Sequence, residues 1–458
     1  MSRFKRSRSR SKSTFFIIFL LLIIGGGAAA FFLFFEGGLP QVTLSSPEHY
    51  IGKNSLIMFD AADRKSGIRE ISLKITQGNL VKELYREQFP RTGFTGMIGV
   101  AEKQVKVPFN PAESGFKDGP ASLTLQVHDY SLRAFLRGNS TKIVKEYEID
   151  TTPPKLSILH SERYINPGGS GIVIYRSPDT DITTGVEIDG RFHPGFLVGD
   201  GRDDTYICYF GLPYSAQNID ASAVVASDPA GNQRKLPFSV TFKAKKFQQD
   251  RINISDGFLN KKIPEFNQYY PDMKGSLLQQ YLYTNNEIRT ENNQKISDLC
   301  AEPDPERQWQ GRFQRMPGSS RAGYADQRTY YYQGKPIDRQ VHLGIDLAST
   351  RKADVRAAEN GTVIFTDYLG IYGNMVMIDH GQGIFSLYSH FSQIHVSPGD
   401  IVDKQTVIGQ TGTTGMAGGD HLHFSVLVNG VFVTPKEWMD QHWIDVTIED
   451  PLTESRFQ

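Results

Sequence analysis

The stretch HLHFSVLVNGVFV, residues 421–433, predicts a β-hairpin that carries two histidines on one strand. Its Asn-Gly pair stands between two apolar runs, which is the strongest short signal for a two-residue hairpin turn. Because side chains alternate along a strand, His421 and His423 should share one face while Leu422 points toward a core. The stretch therefore indicates a β-rich fold that presents two imidazoles side by side.

A second hairpin is predicted upstream of the first. Asn374–Asp379 and residues 384–390 are apolar runs on either side of the glycine-containing turn 380–383. This arrangement places His390 at the end of a strand, where it could approach the two histidines of the first hairpin.

Five residues in this part of the chain offer imidazole or carboxylate, which are side chains that zinc takes as ligands. A catalytic zinc keeps three protein ligands and leaves a fourth position to water, so five candidates suffice for a metal site and two proton-handling histidines. The sequence contains no His-Glu-x-x-His motif, so a histidine is the available general base. The candidates are His342, Asp346, His390, His421 and His423.

The other histidines are interpreted as structural residues. His380 lies in the turn of the second hairpin, a position more typical of a hydrogen-bonded side chain than of a ligand. The remaining six stand apart from any comparable cluster: His49, His128, His160, His193, His395 and His442.

The order and spacing of these motifs resemble a known enzyme family. The matching text includes RTY at 328–330, HLGIDLA at 342–348, YSHF at 388–391, IGQTGTTG at 408–415 and HLHF at 421–424. Residues 322–435 resemble the LytM/lysostaphin-type zinc endopeptidases of bacterial cell walls. The resemblance covers the last quarter of the chain.

This resemblance implies zinc as the cofactor and the peptide cross-links of peptidoglycan as the substrate. By motif position, His342, Asp346 and His423 would bind zinc, while His390 and His421 would flank the attacking water and the scissile carbonyl. One position departs from the family pattern, because Ser425 stands where the family often has glutamate. Ser425 shares a strand face with His423 and is expected to help orient that ligand.

Two non-enzymatic alternatives compete with this interpretation. A wall-binding or regulatory module could keep the fold and activate another cell-wall hydrolase, but such relatives typically lose metal ligands, and here all five positions are filled. A metal-binding β-barrel of another kind would explain His421 and His423 but not the ordered motifs that begin at His342. The motifs therefore favour an enzyme.

The N-terminus has the charge pattern of an exported protein. Residues 1–14 carry six basic residues and no acid, and the next 21 residues, 15–35, contain no charge. Such a segment is long enough to span a bilayer, and its basic flank should stay in the cytoplasm. We expect a single-pass anchor in the inner membrane with the C-terminal domain in the periplasm or outside the cell. A signal peptide cleaved near residues 28–30 is the alternative.

The middle of the chain predicts a mainly β protein. Alternating runs with Pro, Gly and Asn punctuation indicate two β-sandwiches, 40–150 and 151–245, which loosely resemble tandem immunoglobulin-like domains of bacterial surface proteins. They would act as a wall-binding arm or as a stalk without a ligand. A helical linker is expected at 246–312, then an antiparallel β-sheet metallopeptidase domain at 313–440 and a tail at 441–458.

Composition excludes two further classes of protein. The 50 basic and 50 acidic residues balance, so no global field favours nucleic acid. Cys208 and Cys300 are the only cysteines, so the chain is not a disulfide scaffold, although a bond between the two is left open. Peptidoglycan and a membrane are the expected partners, and protein regulators are left open.

Overall fold

The computed structural model describes residues 10–34, 37–45, 49–93, 98–131, 133 and 137–457. Their secondary structure is mainly β, as the sequence predicted. The chain divides into two compact units, one of Met1–Pro153 with Ser227–Gln233 and one of Pro154–Ala226 with Arg234–Gln458.

Helix α1 spans Arg10–Phe34 and covers most of the expected membrane anchor at 15–35. Most of the basic tail, residues 1–9, and Phe35 lie outside the described residues. No helix in the described part of the chain combines the length and the apolar character needed to cross a membrane. The predicted transmembrane anchor is thus not supported by the structure.

The first unit contains a β-sandwich whose strands alternate between buried and exposed residues. One sheet has the order β1-β3-β6 and the other β2-β8-β7-β4-β5. Phe59, Leu73 and Leu125 are almost fully buried in its core. The strands are β1 (Gln41–Leu44), β2 (Tyr50–Ile51), β3 (Ser55–Ala62), β4 (Ile68–Gln77), β5 (Leu80–Gln88), β6 (Glu102–Phe109), β7 (Gly119–Asp129) and β8 (Ser140–Ile149), with a 3-10 turn at Ala112–Ser114.

A second sandwich follows, with sheets β14-β15-β11-β9 and β13-β12-β16-β17 and a small pair β10-β18. Strand β11 is buried on both faces, because Val173 faces the other sheet of the sandwich while Ile172 and Ile174 face the C-terminal domain. The strands are β9 (Ser157–Ser161), β10 (Tyr164–Ile165), β11 (Ser170–Arg176), β12 (Thr183–Ile188), β13 (Arg191–Pro194), β14 (Phe196–Leu197), β15 (Thr205–Gly211), β16 (Ser222–Ser227), β17 (Gln233–Pro237) and β18 (Thr241–Phe242).

The expected linker contains a strand and three helices. Strand β19 (Gln249–Ile254) pairs in parallel with a strand of the C-terminal domain, and Ser255 caps the helix that follows by accepting from the Phe258 amide. The helices are α2 (Asp256–Tyr269), α3 (Leu277–Tyr283) and α4 (Arg289–Leu299), with a π-helical segment at Thr284–Ile288 between the last two.

The C-terminal domain is built on one large antiparallel sheet of order β20-β23-β31-β27-β26-β25-β29, with β32 paired to β31. Both predicted hairpins, β26–β27 and β31–β32, are confirmed. The strands are β20 (Ser319–Ala322), β21 (Gln327–Tyr332), β22 (Lys335–Val341), β23 (Ile345–Ala348), β24 (Asp354–Arg356), β25 (Gly361–Tyr368), β26 (Asn374–Asp379), β27 (Ile384–Ser389), β28 (Gln393–Ile394), β29 (Ile401–Val402), β30 (Val407–Gln410), β31 (Leu422–Val428) and β32 (Val431–Val433).

The segment 441–458 was expected as a tail, but its described residues, 441–457, are largely helical and packed. Ile444 and Ile448 are fully buried in the same cluster as Trp309 and Trp438. The helices are α5 (Pro435–Trp438), α6 (Gln441–Ile444) and α7 (Asp450–Glu454), with a π-helical segment at Asp445–Glu449 and a 3-10 turn at Ser455–Phe457. Another 3-10 turn, Gly370–Tyr372, lies between β25 and β26.

One hydrophobic core joins the second sandwich to the C-terminal domain. Tyr209 of β15 packs against Trp309 and Trp438, with ring centroids 6.1 and 6.3 Å apart. A cut at residue 313 would remove both Trp309 and the β19 strand from this arrangement. The C-terminal domain is therefore better studied together with residues 154–312.

Glu437 makes this interface sensitive to pH. Its carboxylate accepts a hydrogen bond from the Ser170 amide at 2.9 Å, and burial raises the pKa of Glu437 from 4.5 to about 7. Since the folded pKa lies above the unfolded one, this group contributes stability below about pH 4.5 that is lost as the pH rises to about 7.

Replacing Glu437 with Gln should flatten this dependence, because the amide keeps the acceptor and cannot ionise. Between pH 4.5 and 7, the free energy of unfolding should fall further in the parent than in Glu437→Gln. The expected difference is about 2 kcal/mol. Urea titrations followed by tryptophan fluorescence measure this, since the three tryptophans, 309, 438 and 443, all pack in this core. Equal pH slopes for parent and variant would contradict the assignment.

Candidate metal centre and active-site cavity

Three of the predicted residues converge at two neighbouring strands of the large sheet, β23 and β31. Antiparallel pairing of β23 with β31 sets Asp346 directly opposite His423, and His342 lies just before β23. His342 Nε2, Asp346 Oδ1 and His423 Nδ1 approach one another to 2.8–3.0 Å. Such a group of ligand atoms could hold a metal ion.

His342 and His423 each make a second hydrogen bond, directed away from the other two residues. These bonds fix which ring nitrogen of each histidine faces Asp346. His342 Nδ1 lies 2.8 Å from the Gly323 carbonyl, which can only accept, so Nδ1 carries the proton and Nε2 presents a lone pair. His423 Nε2 lies 3.1 Å from Ser425 Oγ, and with the proton on Nε2 its Nδ1 presents a lone pair as well. Ser425 thus contacts the His423 ring, on the strand face that the two residues were expected to share.

These contacts test whether a metal fits the site. Burial lowers the pKa of His423 to about 4, so its ring is neutral at physiological pH. Two imidazole lone pairs and a carboxylate oxygen that lie this close together repel one another unless a cation lies among them. The nitrogen, oxygen, nitrogen donor set is one that zinc accepts, so the residues fit the metal.

Arg328 binds the other oxygen of Asp346, the candidate carboxylate ligand. Its Nη2 donates to Asp346 Oδ2 at 3.0 Å, and its Nε lies 3.8 Å from Asp250. Arg328 belongs to a motif that resembles the family, but the sequence did not predict its contact with Asp346, because the two residues lie in different sheets.

The two remaining candidates, His390 and His421, lie beside the three ligands. His421 Nδ1 donates to the Gly419 carbonyl at 2.8 Å, and its Nε2 lies 3.5 Å from Asp346 Oδ1. His390 Nδ1 donates to the Thr414 carbonyl at 2.8 Å, and the two rings are 4.8 Å apart. In both residues the Nε2 atom is therefore left to act in the cavity.

Backbone strain and charge distinguish these two histidines. His390 has φ 69°, a left-handed conformation rare for residues other than glycine, and its amide donates to the Tyr372 carbonyl. Burial, followed by repulsion from His421 and His423, holds the pKa of His390 well below its usual value. Burial opposes protonation of His421, but Asp346 raises its pKa overall.

Gly344 allows the first motif to approach the last one. A Cβ atom at this position would lie 2.5 Å from the Phe424 carbonyl oxygen and 2.7 Å from His423 Cε1. Both distances are shorter than any side chain tolerates, so the glycine between His342 and Asp346 is needed for the ligands to meet.

All five candidate residues line one cavity of about 300 Å³. Part of its wall comes from the segment expected as a linker, including Ile254, Phe258, Tyr281 and Arg289. A hydrogen bond joins the helical segment to the C-terminal domain: the Asn292 side-chain oxygen accepts from the Ile371 amide at 2.9 Å. The sequence identified the floor of this cavity and missed its walls.

His380 and the two cysteines do not line the cavity. His380 is fully buried between the Asn360 carbonyl and Ser386 Oγ, at 2.6 and 2.7 Å, which is the structural role expected of it. Cys208 and Cys300 are both buried and free.

Comparison with known proteins agrees with this geometry. Residues 340–435 match Peptidase family M23. They form an M23 domain. The resemblance to LytM/lysostaphin-type peptidases noted from the motifs is therefore confirmed.

Two curated relatives show how far the similarity extends. The chain is 40% identical over 96 residues to the DD-carboxypeptidase/endopeptidase Mpg of Neisseria meningitidis, covering 21% of this chain and 22% of that protein. It is 32% identical over 112 residues to the murein hydrolase activator EnvC of Escherichia coli, covering 24% and 27%. The chain thus spans about a quarter of the length of these relatives.

A solved structure extends over more of the chain. The crystal structure of a putative peptidase M23 from Pseudomonas aeruginosa is 19% identical, with a TM-score of 0.40, and covers 60% of this chain and 94% of that one.

Proposed function

We propose that this protein is a zinc-dependent endopeptidase that hydrolyses peptide cross-links of bacterial peptidoglycan. The observation that carries the proposal is the convergence of His342, Asp346 and His423, with two further histidines, in one cavity. Their ring nitrogens and carboxylate oxygen would hold zinc. A zinc ion there would supply Lewis-acid polarisation of the scissile carbonyl and would acidify water near neutral pH.

The histidines beside the ligands would handle the protons. One Nε2 of the pair His390 and His421 would take a proton from the attacking water and pass it to the leaving amine. The other would donate a hydrogen bond to the oxyanion that develops on the oxygen of the scissile carbonyl. The net reaction adds water to an amide and yields a carboxylic acid and an amine.

Each histidine is held for this task through its other ring nitrogen. Nδ1 donates to a backbone carbonyl, Thr414 for His390 and Gly419 for His421, so both rings have fixed orientations. Preorganised groups of this kind need little rearrangement when charge develops in the reaction.

Analysis of wall fragments tests the proposal. Purified peptidoglycan incubated with the full chain and zinc should release peptides with new amino groups, and no new reducing sugar ends. Asp346→Asn, which keeps the shape of the side chain and lacks its charge, serves as the negative control. No cleavage by the parent, together with activation of an added wall hydrolase, would support the second candidate, an activator, which the similarity to EnvC favours.

We also propose that the M23 domain acts outside the cytoplasm. The basic residues followed by the apolar segment 15–35 support export, and peptidoglycan lies outside the cytoplasmic membrane. Protease added to spheroplasts should digest the M23 domain, and N-terminal sequencing of the mature protein distinguishes an anchor from a cleaved signal. Full protection of the domain in intact spheroplasts would contradict export.

A further inference from the structure

Arg289 is a cation in the cavity wall without an acidic partner. Its Nε donates to the Asn285 carbonyl at 3.1 Å and its Nη2 to the Asn285 side-chain oxygen at 2.6 Å, both of which are neutral acceptors. No carboxylate of the described residues lies within ion-pairing distance of its guanidinium. Asp338 binds the side-chain amides of Asn285 and Asn286 instead.

Tyr281 supplies a second, independent sign of a missing partner. Its side chain is fully buried and lines the same cavity, yet its hydroxyl has no hydrogen-bond partner among the described residues. The ring is held edge-on by Phe258 and Tyr330, with centroids 6.4 and 6.1 Å apart. A buried hydroxyl without a partner is costly, so its presence in a cavity wall points to a ligand.

The charge of the cavity determines the chemistry of that ligand. Of the residues that line it, Asp346 is the one acid, and it is already engaged by Arg328 and the histidines. Arg289 therefore faces the cavity with uncompensated positive charge. A guanidinium and a hydroxyl donor that line the same cavity suit a planar carboxylate, which accepts several hydrogen bonds at once.

We propose that Arg289 and Tyr281 form a subsite for a free carboxylate of the peptide substrate, next to the amide that is hydrolysed. This proposal rests on the proposed function, because the subsite and the three ligands share one cavity. The helical segment then selects the substrate: peptides with a free carboxylate near the scissile bond bind well, and their amidated counterparts bind poorly.

Binding to metal-free protein tests the subsite apart from catalysis. The probes are soluble disaccharide-peptides from bacterial wall, either with free carboxyl groups or with the same groups converted to primary amides. Metal-free full chain should bind the free acids at least about 10-fold more tightly than the amides, as expected for a hydrogen-bonded charge pair. Arg289→Gln should reduce this preference to about one by weakening binding of the acids alone.

Companion variants separate a subsite from a loss of fold. Arg289→Lys should keep part of the preference and Tyr281→Phe most of it, since both variants keep a cation at position 289 and Arg289→Gln does not. Arg251→Gln is the matched control, because Arg251 lies on the neighbouring strand β19, stacks on Tyr331 and stays outside the cavity. It should keep the full preference.

The same variants reconstituted with zinc distinguish the two proposals. Equal binding of acids and amides by the parent, or an unchanged preference in Arg289→Gln, would overturn the subsite, even if the wall is cleaved. A preference that depends on Arg289 in a protein that cleaves nothing would leave the subsite standing and overturn the proposed hydrolysis.

Discussion

His423→Ala is expected to lose bound zinc and wall hydrolysis together. His423 Nδ1 lies 2.8 Å from His342 Nε2 and 3.0 Å from Asp346 Oδ1, so its removal leaves two ligand atoms where a stable site needs three. Metal content, measured by mass spectrometry after dialysis, should fall from about one ion per chain to background. Turnover of isolated wall should fall to the level of the buffer control.

Controls separate loss of the ligand from loss of the fold. Asp346→Asn should lose zinc with little change in packing, because the amide occupies the same space and near-ultraviolet circular dichroism would report any rearrangement. His442→Ala removes an exposed histidine that does not line the cavity and should keep both metal and activity. Full zinc retention by a folded His423→Ala protein would refute the ligand assignment.

His390→Ala and His421→Ala should keep zinc and lose most of their turnover. Neither residue belongs to the converging three-atom group, yet both line its cavity. General acid–base groups typically contribute about 10²–10⁴-fold, so kcat should fall by that factor. Steady-state kinetics on wall fragments, with metal content measured on the same samples, provides the test.

The strained backbone at His390 requires a second substitution there. Alanine tolerates φ 69° poorly, whereas asparagine adopts left-handed conformations more readily. His390→Asn should therefore fold like the parent and still lose turnover. A parental rate in either His390→Asn or His421→Ala would show that the residue does not handle protons in this reaction.

The sequence by itself determined the hairpins and the members of the candidate metal site. The Asn-Gly turn and the alternation along residues 421–433 are local signals, and each acts over a few residues whatever the rest of the chain does. The turn's glycine, Gly430, and Asn429 both adopt the positive φ that such a turn requires. Motif order then singled out the residues that meet where β23, β31 and β27 pair in one sheet.

Only the tertiary structure decided what surrounds those residues. The pairing of Arg328 with Asp346, the walls formed by Tyr281 and Arg289, and the core shared by Tyr209 and Trp309 all join distant parts of the chain. Strand β19 pairs in parallel with β21, which begins more than 70 residues later, and nothing in either strand's sequence identifies its partner. Such contacts depend on packing between elements, because hydrophobic burial is non-directional and a strand of suitable pattern can pair with many others.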